Sequence, residues 1–398
     1  KGYPETGTIN QEWGEWTGRL VLDWKPELSF TDNTMVYGSF SRGYKGGGAN
    51  PPRPGFATKA ELVQIALDQG VPQSLLDQID QFLPNLFPVL KLTADEYGDT
   101  FAPEFVNAFE VGAKNTLLGG GLTLNLTGFY YDYTDYQISQ IRDRTAVNEN
   151  FDATMGGLEL ESIFSPTPDL QFLANVGYLH TRVADGETSI DIMNRTQGNP
   201  NYTLAKPWVQ LPSNCVVPTA VIVNNLTNGI YNYTGFCGVG GLLGSAITPV
   251  LDPNFGNTKY DPANYPELHG GAGLLADLGG NELPNAPHWT VNVGGQYTFH
   301  LRDEWAMVVR ADAYWQSQSW ARIYNSDPYD KLHGWYNANL SVWLEQPDKQ
   351  LKIEFYVKNL LDTTPITGAF LNSDDTGLTT NVFTLDPRLI GLSIRKGF

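Results

Sequence analysis

The residues able to do chemistry in this sequence do not form the spacings that catalysis or metal binding requires. The five histidines are scattered and none lies in a metal-ligand pattern such as His-Glu-x-x-His: His180, His269, His288, His300 and His333. The chain also lacks a Gly-x-Ser-x-Gly elbow, a phosphate-binding glycine loop and a Cys-x-x-Cys pair. We therefore predict a protein that is not an enzyme and that has neither a metal site nor a cofactor.

A second group of polar residues falls on alternate positions of predicted strands. These charged side chains are Glu104, Glu110, Lys114, Glu159, Glu161, Arg310, Asp312 and Glu354. Side chains two apart in a strand share a face, so we expect one salt-bridged polar wall facing a lumen. Catalytic carboxylates are the less favoured interpretation, because acidic pairs are common inside barrels.

Aromatic residues and an arginine cluster just beyond a strand that ends near Gln318. The cluster comprises Trp320, Arg322, Tyr324 and Tyr329. Aromatic rings beside a guanidinium suit an anionic chelate, a sugar or a glycan, and we predict weak ligand-binding residues here. Interfacial anchoring and loop packing explain the same residue types equally well.

The elements that position these residues are strands with period-2 patterning. In the run 288–299, for example, Trp289, Val291, Val293 and Tyr297 alternate with polar residues or glycine. Such alternation predicts amphipathic strands, and about eleven can be recognised. They cover 13–24, 35–44, 104–116, 122–140, 151–164, 170–181, 288–299, 305–316, 336–344, 351–358 and 389–398.

The connections between these strands alternate between short and long. Residues 45–101 form a long connection with a small helical insertion, and residues 182–286 form a longer one. A soluble sandwich has no reason to sort its loops in this way, whereas an outer-membrane barrel has short periplasmic turns and long extracellular loops. The sequence therefore predicts an all-β, transmembrane antiparallel β-barrel. Cys215 and Cys237 lie inside the longer connection, where we expect a disulfide.

Composition agrees with this fold and excludes other classes of protein. Only 17% of residues are charged, 41 are glycine and the mean hydropathy is −0.27. A net charge of −18 excludes nucleic acid as a partner. We expect lipid and lipopolysaccharide around the barrel instead.

Several segments resemble TonB-dependent outer-membrane receptors, in the order that this family has them. They are Tyr37–Tyr44 (YGSFSRGY), Pro103-Glu104 with Phe109–Lys114 (FEVGAK), 122–137, Leu283–Trp289 (LPNAPHW), Val357–Asp362 (VKNLLD), Pro387-Arg388 and the terminal Phe398. The resemblance implies a 22-stranded barrel preceded by a plug domain. It also implies that Phe398 belongs to the signal read by the barrel assembly machinery, although Lys396 departs from the usual apolar pattern.

The resemblance further implies active import across the bacterial outer membrane. The TonB-ExbB-ExbD complex would act through the plug, and a ferric siderophore is the leading substrate, followed by an oligosaccharide. Alternative interpretations are a passive porin and a surface anchor whose long loops bind another protein.

The odd strand count predicts that residues 1–398 are the C-terminal part of a larger barrel and that the plug lies elsewhere in the protein. A single-chain barrel has an even number of strands and both ends in the periplasm. We therefore expect the native protein to have about twice the 44.0 kDa mass of this chain, with plug peptides upstream of Lys1. Intact mass and N-terminal peptide mapping check this. A native chain that begins at Lys1 and folds as a monomer would favour the small porin.

Overall fold

The computed structural model describes residues 9–50, 67, 70–75, 77, 100–142, 145–206, 214–231, 235–237, 249–372 and 379–397. Their main feature is an eleven-stranded antiparallel sheet. Its strands are β1 Gly18–Trp24, β2 Asn33–Lys45, β3 Glu104–Leu117, β4 Leu122–Arg142, β5 Thr145–Thr167, β6 Leu170–Val183, β7 Trp289–His300, β8 Ala306–Gln316, β9 Trp335–Gln346, β10 Leu351–Lys358 and β11 Leu389–Lys396.

Each strand pairs with the strands before and after it in the chain, so the sheet is a simple meander. All eleven predicted strands are present. The prediction was wrong about the connection between β4 and β5, because strand structure continues to Arg142 and resumes at Thr145. Side chains hold this polar extension together across the pair: Ser139 bonds to Asn148, and Gln140 bonds to Glu149. The first strand begins at Gly18 rather than Trp13.

The sheet has one apolar face that is exposed to its surroundings. The pairing register brings Leu22, Val111, Leu158 and Leu392 to the same face, where their exposed fractions are 71%, 61%, 55% and 66%. A soluble protein would bury a face of this extent. We therefore interpret it as the lipid-contacting surface of a membrane barrel.

Aromatic side chains mark the two borders of this apolar face. Trp289 and Phe299 lie ten positions apart in β7, a separation of about 34 Å along the strand. At a tilt near 40° this corresponds to roughly 26 Å of height, close to the hydrocarbon thickness that barrels span. The rings near the long connections are Phe40, Phe109, Tyr130, Tyr178, Trp289, Trp315 and Tyr336, and those near the short turns are Trp24, Phe172, Tyr297 and Phe299.

Glycines on the opposite, polar face allow aromatic rings to lie flat against the sheet. The Tyr37 ring crosses Gly112 and its hydroxyl lies 3.1 Å from Thr127 Oγ1, two strands away. A Cβ at position 112 would sit 2.6 Å from that ring. The ring therefore links three strands, and it can do so because the middle residue has no side chain.

The connection from β6 to β7 contains its own core rather than irregular chain. Cys215 and Cys237 form the predicted disulfide, with Cα atoms 5.5 Å apart. Buried residues around it include Val216, Val217 and Phe236, which pack beside helix α1, Thr219–Thr227. The two ends of this segment run side by side, since Thr188–Ser189 pairs with Ala276–Asp277. We call residues 190–275 the disulfide module.

The remaining short elements lie in the connections. Strand pairs join Gly48–Ala49 with Thr100–Phe101, Tyr202–Ala205 with Cys215–Pro218, Leu251–Asp252 with Thr258–Lys259, Ser319–Trp320 with Lys331–Leu332, and Ile366–Leu371 with Thr380–Thr384. 3-10 turns cover Gly235–Cys237, Pro253–Phe255, Pro262–Asn264, Pro266–Gly271 and Pro347–Lys349. Among the described residues, no helix is both long and apolar enough to cross a membrane.

Two predictions fall largely outside the described residues. Residues 67, 73–75 and 77 of the predicted helical insertion have helical backbone, and most of the segment 45–101 is not described. Phe398, the predicted assembly signal, also lies outside the described part.

The apolar and polar faces of the sheet should differ in how well they tolerate an added charge. Val293 and Asn292 are adjacent exposed residues of β7 on the apolar and polar faces, respectively. We expect Val293→Arg to destabilise the barrel by about 2–4 kcal/mol, because a cation would enter hydrocarbon. Asn292→Arg is the matched control and should cost less than about 1 kcal/mol, since its neighbours Asn175 and Tyr314 are polar. Urea unfolding in lipid vesicles measures both, and equal losses would contradict the assignment of faces.

Candidate functional site

The eight charged residues of the predicted polar wall all lie on one face of the sheet. The register aligns them across β3, β5, β8 and β10, opposite the exposed apolar face. Neighbouring groups hydrogen bond to several of them. Tyr131 donates to Glu110 at 2.9 Å, and Asn339 donates to Asp312 at 2.8 Å. That this face lines a lumen remains a prediction from its polarity.

Toward the long connections, the same face of the sheet becomes apolar. Phe151, Ala153 and Val183 continue the polar face along β5 and β6, and they are at most 3% exposed. They pack against Leu278, Leu283, Ala286 and Ile323 from the connections β6–β7 and β8–β9. The connections therefore fold over this face instead of standing away from the strand ends.

Arg322, one of the predicted ligand-binding residues, donates hydrogen bonds to two carboxylates. Its Nε donates to Asp330 Oδ1 at 2.6 Å, and its Nη1 donates to Asp191 Oδ1 at 2.6 Å. Its Nη2 lies 3.1 Å from the second oxygen of Asp330 and 3.4 Å from that of Asp191. Burial lowers the pKa of Arg322, but the two carboxylates outweigh burial and the pKa is raised. Burial raises the pKa of Asp330 despite the guanidinium beside it.

The other predicted ligand residues have separate surroundings. The Tyr324 ring lies 5.0 Å from the Arg322 guanidinium, and its hydroxyl is within 2.9 Å of Gln140 Oε1 and 2.8 Å of the Ile190 carbonyl. Trp320 packs beneath the Lys331 ammonium, 5.8 Å away. Tyr329 is 76% exposed and stands apart. Arg322 and Tyr324 therefore hold the connections together, and a role for the four residues in ligand binding remains a prediction.

A cavity of about 340 Å³ lies beside Arg322 and Tyr324. Its walls come from the extended end of β4, the β6–β7 connection, the β8–β9 connection and the short strand Ile366–Leu371. Apolar and aromatic residues dominate, among them Ile138, Ile192, Ile323 and Phe370. Its volume lies within the range of small-molecule sites. In the described part of the chain, no group of three or more histidine, cysteine or carboxylate side chains is placed to hold a metal.

Sequence reasoning missed the partners of Arg322 and the cavity itself. Asp191 lies 131 residues from Arg322 in the chain, and Gln140 lies 184 residues from Tyr324. No local spacing signals a contact between segments so far apart. Residues 136–140 were predicted as strand, but nothing in their sequence showed that the connections β6–β7 and β8–β9 pack beside them to enclose a cavity.

The sheet, with its exposed apolar face and aromatic borders, defines an outer-membrane β-barrel. A profile of the family described as TonB dependent receptor-like, beta-barrel matches residues 2–360. The chain belongs to this family of TonB-dependent receptors, which confirms the resemblance seen in the sequence motifs. A search of curated proteins finds no match.

A solved structure shares the fold. The ferric yersiniabactin uptake receptor FyuA from Yersinia pestis is 15% identical with a TM-score of 0.53, and the match covers 96% of this chain and 37% of that one. The siderophore receptor PiuA from Acinetobacter baumannii is 13% identical with a TM-score of 0.49, covering 95% and 35%, respectively. The chain thus spans little more than a third of the length of these structures.

The ion pairs of Arg322 predict that its loss loosens the connections. Arg322→Gln would leave Asp191 and Asp330 buried without their cation, and we expect the packing of the β8–β9 connection to lose about 3–5 kcal/mol. Tyr329→Ala, in the same connection, is the control and should change stability by less than about 0.5 kcal/mol. Limited proteolysis of the protein in detergent would show cleavage near 317–334 in the first variant alone. Equal resistance of both variants would contradict the structural role of Arg322.

Proposed function

We propose that this chain forms the C-terminal part of the barrel of a receptor that imports a scarce solute across the outer membrane with energy from TonB. A ferric siderophore is the leading substrate. The observation that carries the proposal is the combination of an exposed apolar face with eight charged residues on the opposite face. Family membership supports it, and so does a fold shared with a receptor named for ferric yersiniabactin uptake.

In this proposal the charged face is the inner wall against which a plug domain packs. Carboxylates and amides placed at intervals across several strands offer hydrogen bonds to a folded domain without creating an apolar patch. Asn125, for example, donates to Glu161 at 3.3 Å, and Lys352 lies 3.5 Å from Glu354. The plug would transmit the pull of the TonB-ExbB-ExbD complex, because the barrel itself has no route to the inner membrane.

The proposal also assigns the two ends of the sheet. Five short turns share one end, which would face the periplasm. The long connections share the other end, which would face outward, together with the extended β4–β5 pair, in which β4 ends at Arg142 and β5 begins at Thr145. Residues 45–101 and 182–286 would then be extracellular, with lipid and lipopolysaccharide around the apolar face. Insertion of the barrel into the outer membrane would depend on the barrel assembly machinery.

Uptake measurements test the proposal. Deleting the gene should abolish accumulation of at least one radiolabelled ferric siderophore from a panel, and the complete gene should restore it. Because import is driven through TonB, a TonB-deficient strain or a protonophore should abolish uptake equally. Accumulation of labelled oligosaccharides under the same conditions would identify the second substrate class.

Two outcomes would contradict the proposal. Uptake that persists without TonB and saturates only at high concentration would indicate a passive porin. A deletion strain that imports every probe normally but no longer retains a neighbouring surface protein would indicate an anchor.

The charged wall can be tested in the same assay. Glu159→Lys with Glu161→Lys reverses two adjacent charges of the wall, and we expect slower uptake at an unchanged amount of folded receptor because the plug no longer fits its wall. Asn292→Arg, which adds one charge in the same cross-strand row as Glu161, two strands away, without reversing any existing charge, should retain more uptake. Equal uptake by the parent and the two variants would show that the charged wall does not contact the plug.

A further inference from the structure

The cation beside the cavity is neutralised by two carboxylates that occupy most of its hydrogen-bond donors. The Arg322 guanidinium donates to both oxygens of Asp191 and both oxygens of Asp330, through Nε, Nη1 and Nη2. Only 15% of its side chain is exposed. Among the lining residues that the structure describes, Arg322 is also the sole charged side chain.

The two carboxylates are fixed in place by further bonds. The Met193 amide donates to Asp191, and the Ser326 amide donates to Asp330. Both carboxyl groups are buried, with side-chain exposures of 4% and 2%. With one guanidinium between two carboxylates, the group carries a formal charge of −1 when ionised. We call Arg322, Asp191 and Asp330 the acidic triad.

The surrounding connections add charge of the same sign. Residues 184–288 contain eight acidic and three basic residues, and residues 359–388 contain four and one. The connection 317–334 is balanced, with two of each. The connections that contribute walls to the cavity therefore have a net negative charge in sequence, and such a charge favours solutes of the opposite sign.

The uncharged lining supplies the remaining recognition. Tyr136, Ile138, Phe370 and Leu371 offer apolar and aromatic surface, while Gln137 and Asn285 carry amide groups. Such a lining suits a ligand with flat or apolar portions and a few hydrogen-bonding groups. It offers no cation to offset the desolvation of an anionic ligand.

From these contacts we propose that the cavity admits uncharged or cationic solutes and rejects anionic ones. This inference rests on the proposed import function and narrows its substrate class. Among ferric chelates it selects those without net negative charge, such as a neutral trishydroxamate, over a trianionic triscatecholate. Among oligosaccharides it selects neutral chains over those containing uronic acids.

The test is a binding measurement on the full-length receptor purified from outer membranes in detergent. The probes are two pairs: a neutral ferric trishydroxamate with a trianionic ferric triscatecholate, and a neutral disaccharide with its uronic acid counterpart. We expect the neutral member of at least one pair to bind roughly tenfold or more tightly than the anionic member at low salt. Raising the salt concentration should narrow the difference, because screening weakens the repulsion.

A variant isolates the contribution of the triad. Asp191→Asn with Asp330→Asn keeps the side-chain shapes and one oxygen acceptor at each position, while the formal charge changes from −1 to +1. Resistance of residues 317–334 to limited proteolysis, equal to that of the parent, shows that the variant keeps the fold of the connection. The affinity for the anionic probe should rise roughly tenfold relative to that for the neutral probe. The control is Asp185→Asn with Asp327→Asn, which removes two exposed carboxylates paired with Arg182 and Lys331. It should leave the ratio within about twofold of the parent.

The outcomes separate this inference from the proposed function. Tighter binding of the anionic members, or anion affinity that falls as salt is added, would overturn the charge selection and leave the import function standing. The charge selection would also be overturned if the triad variant and the control changed the ratio of anionic to neutral affinity by the same factor. Binding of no probe, together with normal uptake by the deletion strain, would overturn both.

Discussion

The requirement that every backbone amide and carbonyl be paired where lipid replaces water determines most of this structure. An unpaired group in hydrocarbon costs several kcal/mol, so strands can cross a membrane only as members of a continuous ladder. Within the described chain, the nine strands from β2 to β10 meet that requirement because each is paired on both sides, while β1 and β11 are each paired on one side. The exposed leucines, the aromatic borders and the low charge content follow, because the outer side of such a ladder must be apolar.

The opposite, polar face of the sheet has different surroundings at the two ends of the strands. Near the short turns it is polar, and its carboxylates are hydrogen bonded to tyrosine and amide neighbours. Near the long connections it is apolar and covered, with Phe151 and Val183 packed against Leu278 and Ile323. The same face is therefore polar at one end of the strands and apolar and buried at the other. The acidic triad lies close to the boundary where the connections fold over the sheet.

The parts that sequence predicts are those in which the pattern is local. Period-2 alternation marked every strand of the sheet, since lipid on one side and polar surroundings on the other impose it residue by residue. The disulfide was predictable because both cysteines lie in one connection. The cores of the connections have no such period. The pairing of Arg322 with Asp191 joins residues far apart in the chain, and the aromatic cluster around it suggested a ligand where the protein supplies its own carboxylates.

The disulfide module enters and leaves the rest of the structure at one place. Thr188–Ser189 lies beside Ala276–Asp277, and the Leu274 amide still bonds to the Arg195 carbonyl farther along. Chain inserted between these points keeps its ends together and carries its own core, so its length and sequence can change without moving β6 or β7. Recombination that exchanges this segment between relatives would produce receptors with the same barrel and a new surface.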